Sequence, residues 1–110
     1  MKIEMDAFNE RTANDITLQH DLLSCFESEF VAVRNSLNDN LLKQDFCAVV
    51  SSLHKLKGSV GIFGFVNITQ YISELENMVK SGIYADFSEK LSELFGSVDK
   101  HIVELKKYIY

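Results

Sequence analysis

Proline and tryptophan are absent from the sequence, glycine occurs five times, cysteine twice, and acidic residues outnumber basic ones by sixteen to eleven. Each shortage excludes something. A chain without proline has no obligatory helix breaker, and one with few glycines loses little backbone entropy on ordering, so long helices are favoured. Cys25 and Cys47 stand in no close metal-type spacing. They fall at different levels of the helices proposed below, so a disulfide is not expected and both read as buried small hydrophobes. The net charge of −5 leaves no basic tract to neutralise phosphates, and Lys106 with Lys107 is too short a run to change that. This argues against nucleic acid or an anionic membrane as a general partner. No apolar run approaches the roughly 20 residues that span a bilayer. The polar start MKIEMDAFNERT lacks the apolar centre of a secretory signal, so a cytoplasmic location is expected.

What is present is the composition of a folded domain: 110 residues, 46% hydrophobic and 25% charged, with eight phenylalanines and four tyrosines that read as core. Apolar residues recur at helical spacing. Leu22, Leu23, Phe26, Phe30, Val33, Leu37 and Leu41 make residues 16–43 one amphipathic helix, with Asn14 or Asp15 able to cap it. Asp45 is a good cap for a second helix at 46–62, striped by Phe46, Val49, Val50, Leu53, Leu56 and Val60. The tight turn between them makes the two antiparallel neighbours. Asn67 and Gln70 have nearly the spacing of a capping box for a helix at 66–81, with Ile68, Tyr71, Ile72, Leu75 and Val79 inward and Ser81–Gly82 as its stop. The cleanest stripe, Phe87, Leu91, Leu94, Val98, Ile102, Leu105 and Ile109, marks a helix at 84–109. A short lead-in helix at about 4–11 would cover one end with Phe8. The expected fold is all-α: a single domain, 1–110, built as an antiparallel up-down-up-down four-helix bundle with a short N-terminal helix.

One stretch does not fit a purely structural helix. LHKLKGSVGIFGF, residues 53–65, holds a histidine, two lysines and three of the five glycines, although a glycine inside a helix costs about 1 kcal/mol relative to alanine. Advancing about 100° per residue places His54 on the flank of the core stripe, with Ser51, Gly58 and Gly61 on its own side. Side chains are stripped from the surface around the imidazole, so a bulky partner can approach it. Lys57, three residues on, can reach a negative group attached to the ring. Neutral imidazole offers a nucleophilic nitrogen near pH 7, yet the sequence supplies no second catalytic group or phosphate-cradling loop beside it. Such a site accepts a group and borrows its catalysis from a partner. His20 and His101 have no comparable company and read as surface polar groups.

His54, Lys57, Gly58 and Gly64, in the pattern HxxKGxxxxxG followed by Leu75–Glu76, resemble the histidine-containing phosphotransfer domain of bacterial multistep phosphorelays. Asp45 nine residues before the histidine and the preceding long helix with Leu22, Leu23 and Phe26 extend the resemblance over nearly the whole chain. It implies that His54 accepts a phosphoryl group from a receiver-domain aspartate and relays it to another receiver. Response-regulator receivers and a hybrid sensor histidine kinase would then be the partners. On the same resemblance the chain is a relay intermediate rather than an enzyme and binds no metal or cofactor, the Mg²⁺ being held by the receiver. Lys57 would stabilise the phosphoryl group, Gly58, Gly61 and Gly64 would clear the way for docking, and Glu76 would orient the imidazole. Arg34 and Asn35, level with His54 on the preceding helix, would line the docking edge. Lys55 and Val60 depart from the commoner pattern, Val60 on the core side. Gly61 to Phe65 is also similar to the phosphotransfer domain of chemotaxis kinases. A domain of a chemotaxis-type or hybrid kinase, and an interaction module that carries no phosphate, are therefore the alternatives; the initiating Met and complete last helix favour a separate protein.

Overall fold

The computed structural model describes residues 3–110. Five helices follow in order: α1 (Met5–Arg11), α2 (Ile16–Leu42), α3 (Phe46–Ile62), α4 (Val66–Lys80) and α5 (Phe87–Ile109). The four long ones form the bundle. α2 packs on α3 and α5, and α4 packs on α3 and α5, so α2/α5 and α3/α4 are opposite seams of a square. At about 1.5 Å per residue the 27 residues of α2 account for the long dimension of 42 Å.

The periodic residues form the core. Leu23, Leu37, Val49, Leu53, Val60, Ile72, Leu94, Val98 and Leu105 are fully buried, with Phe46, Val50, Leu41 and Tyr71 partly buried around them. Asp15 and Asp45 cap α2 and α3, their carboxylates accepting from the amides of Leu18 (3.1 Å) and Ala48 (3.2 Å). α4 ends in a Schellman turn: the Ile83 amide reaches back to Met78 O and that of Gly82 to Val79 O, with Gly82 at φ +70°. The capping box at the start of α4 does not form. The cap residue is Phe65, whose side chain makes no cap hydrogen bond; Asn67 already lies inside the helix. α5 starts at Phe87 rather than at 84, because Asp86 takes a left-handed conformation and the preceding residues join the turn.

Phe8 of α1 is fully buried and packs on Phe63, which in turn meets Phe26 and Phe65. This aromatic layer closes the end of the bundle where α3 turns into α4. The turn depends on Gly64, at φ +71°, where a Cβ would stand 2.8 Å from Glu4 O. The Glu4 amide donates to Gly64 O at 3.0 Å, and Ile3 pairs with Phe65 in a single antiparallel bridge.

Three further expectations are corrected. Cys25 and Cys47 are exposed free thiols, since each lies on the outer side of its helix. His101 is buried, its ring against Phe65 and its Nδ1 2.7 Å from Ser97 O. His20 is half-buried, stacked on Tyr110 with its ring nitrogen on Ile109 O.

Candidate functional site

The site is built from adjacent residues on α3 and α4. Leu53 points into the core, so His54, one step further round α3, emerges at the α3/α4 seam with 73% of its side chain exposed. Across the seam, Leu75 is buried in the core, and Glu76 beside it is held inside with only 6% of its side chain accessible. Its carboxylate faces two groups of α3. Oε1 is 2.9 Å from Lys57 Nζ, and Oε2 is 3.6 Å from His54 Nδ1.

An isolated buried carboxylate is strongly unfavourable, and the Lys57 ammonium beside Glu76 offsets that cost beneath the histidine. The ion pair is close but not aligned as a hydrogen bond, and Oε1 has no hydrogen-bond donor among the described residues. The sequence suggests a Lys57 free to meet an incoming group; here it is engaged by Glu76 and only 27% exposed. With Nδ1 turned to the carboxylate, Nε2 is the outward nitrogen of the ring.

The surface along α3 is open on both sides of this ring. A Cβ added to Gly58 or Gly61 would meet nothing within 4 Å, and Ser51, one turn the other way, is exposed. Internal packing therefore does not require either glycine. Gly64 is different: it is buried, and the room it leaves is taken by Glu4, so it shapes the turn rather than clearing the surface. Arg34 does not line this face either. It lies on the opposite seam, 3.3 Å from Asp99 of α5 with its guanidinium over the Phe95 ring, because position 34 falls on the α5 side of α2. Asn35 is exposed one step beyond it. The α2 group that does face α3 is Glu29, which accepts from Ser59 at 3.1 Å.

Sequence reading missed Arg11. Its Nη1 donates to Gly61 O (2.8 Å) and Ile62 O (3.3 Å), fifty residues along the chain, a contact that no local spacing announces.

A family profile for the Hpt domain matches residues 21–108. The chain belongs to the Hpt domain family. The matched residues include His54, Lys57, Gly58 and Glu76, and leave α1 outside. Hpt domains are phosphotransfer modules of two-component phosphorelays, working with receiver domains and kinases. Neither a curated protein nor a solved structure matches this chain. No helix among the described residues is long and apolar enough to cross a membrane.

Proposed function

We propose that this Hpt domain is a phosphorelay intermediate phosphorylated on His54, taking the group from the aspartyl phosphate of one receiver and giving it to the aspartate of another. The observation that carries the reading is an exposed imidazole whose inner nitrogen faces a buried, lysine-neutralised carboxylate.

The transfer follows from that geometry. The Nε2 lone pair attacks phosphorus in line with the acyl phosphate bond; the N–P bond forms, and the P–O electron pair leaves with the receiver's carboxylate. Nδ1 keeps its proton, so the phosphorylated ring is a cation, and Glu76 Oε2 stands 3.6 Å from that proton. A small rotation of the ring turns this approach into a charge-assisted hydrogen bond, which fixes the reactive tautomer and stabilises the charged product. The reverse sequence returns phosphate to a second receiver. Phosphoryl transfer depends mainly on positioning and charge neutralisation, so a rigid helix bearing one oriented imidazole is sufficient equipment on this side. On this reading Lys57 acts first through Glu76 and secondarily on the phosphoryl oxygens. The chain turns over no substrate of its own, and the Mg²⁺ of the reaction belongs to the receiver.

The test is phosphotransfer profiling. Incubation with phosphorylated receivers from the same cell is expected to yield an acid-labile, base-stable phosphate on the wild-type chain and none on His54→Gln. Absence of label with every receiver and kinase would overturn the reading in favour of a non-phosphorylated interaction module, for which His54→Gln leaves partner binding intact.

A further inference from the structure

We infer that α1, which lies outside the span matched to the family, supplies a second contact for the receiver: Arg11 receives a carboxylate side chain of the partner in a concavity two turns from His54. The inference rests on the receiver-docking reading above.

Beside the C-terminal end of α3 is a concavity of about 300 Å³, with Arg11 and Gly61 on one side, Val66, Thr69 and Gln70 on the other, and Glu4 at the α1 end. It continues the open strip that Gly58 and Gly61 leave along α3. A standard interface covers about 800 Å² on each partner, a disc of about 16 Å radius. Gly61 is seven residues from His54, about 10 Å along the helix. A receiver that brings its aspartate onto Nε2 therefore covers this concavity as well.

Arg11 is equipped to be read there. Its Nη1 is held by Gly61 O and Ile62 O, so much of the side chain's freedom is already lost before a partner arrives. The Nε and Nη2 groups keep three N–H donors in the planar fork that suits a carboxylate. Among the described residues Arg11 makes no ion pair, not even with Glu4, so its charge is unanswered on an exposed side chain. Lys57, by contrast, is already engaged by Glu76. Lys55, also exposed and without an ion pair among the described residues, stands beside His54 itself; Arg11 is the unanswered cation at the concavity, on α1, while the phosphoryl chemistry is on α3.

The experiment uses the full chain with a phosphorylated receiver domain that profiling shows to donate to His54. Initial transfer rates give kcat and KM, phosphoramidate serves as a small donor that needs no docking surface, and urea unfolding reports stability. Arg11→Glu is expected to raise KM for the receiver about tenfold, the equivalent of one charge-assisted hydrogen bond, with kcat and the phosphoramidate rate within about twofold of wild type. An unchanged KM in folded Arg11→Glu overturns the inference and leaves the relay reading standing. If loss of the α3 carbonyl contacts unfolds that variant, Arg11→Gln, which removes the charge and keeps an amide donor, is read instead. A raised KM there supports the contact, and an unchanged one overturns it. A wild-type chain that takes phosphate from phosphoramidate but from no receiver overturns both the contact and the relay.

Discussion

Two histidines sit on helices of the same bundle in opposite environments. His54 on α3 is largely exposed, its Nδ1 toward a buried carboxylate and its other nitrogen open to solvent. His101 on α5 is 2% exposed, with Nδ1 on a backbone carbonyl and no partner for Nε2 among the described residues. What separates them is not exposure alone. Around His54 the polar groups lie beneath the ring and the outer surface is bare; around His101 the free nitrogen is buried, and the neighbouring ring is that of Phe65. A nitrogen meant to react with another protein needs support from behind and nothing in front, whereas the orphan nitrogen of His101 has cover and no support.

The widest break between the two is in chemistry. His54→Gln is expected to abolish phosphate incorporation, while His101→Leu, which removes a nitrogen no step of the transfer uses, leaves it intact; labelling both variants with the same phosphorylated receiver checks this. Next in size is the carboxylate that supports His54. Glu76→Ala deletes the group that orients the ring and neutralises its charge, and the transfer rate should fall roughly ten- to a hundredfold, the worth of a hydrogen bond to a charged group. Glu76→Gln, which still offers an oxygen to Nδ1, should fall between Glu76→Ala and wild type. Equal rates for all three proteins would mean that Glu76 is there for Lys57 and the fold, not for the imidazole.

A smaller effect divides the surface from the interior by sign. Gly58→Ala adds a methyl where nothing lies within 4 Å, and alanine favours a helix interior over glycine by about 1 kcal/mol. The melting temperature should rise by about 4 °C, while transfer from a receiver slows because the methyl stands one turn from the imidazole. Transfer from phosphoramidate should not change. A core truncation moves the first quantity the other way: Leu53→Ala should cost about 2–5 kcal/mol in urea unfolding.

The bundle was legible because burial follows helical period. Leu53, Leu75, Leu94 and Val98 are where spacing puts them, and Asp15 and Asp45 cap by a contact three residues away. His54 and its glycines were legible for the same reason, being a departure from the pattern on one helix. Contacts between distant elements were not. Arg11 meets Gly61 through a turn that sequence does not place, and Arg34 chose α5 over α3 by a rotation too small for a stripe to resolve. Other errors came from residue type overriding position. His101 is seven residues after Leu94 and four before Leu105, on the buried stripe, yet a histidine reads as surface. The chemistry of Cys25 and Cys47 suggests core, though Cys47, seven residues before His54, shares its outward strip.

The smallest expected effect concerns His101 alone. Burial pushes its pKa below the ordinary 6.5, only partly opposed by the hydrogen bond to Ser97 O. In the unfolded chain the same ring takes up a proton at its normal pKa. Between pH 6.5 and the lowered native value the unfolded state therefore binds more protons, so stability present above pH 6.5 is lost as the pH falls through that window. Urea midpoints for wild type should decline there, and His101→Leu should decline less, because Leu fills similar space and has nothing to protonate. Phosphorylation of His54 should not share this dependence on residue 101: the ratio of wild-type to His101→Leu transfer rates should stay flat across the same pH range. If the ratio changed instead, the buried ring and the exposed one would be coupled through Phe65 and the α3–α4 turn, and the separation between interior and surface would no longer hold.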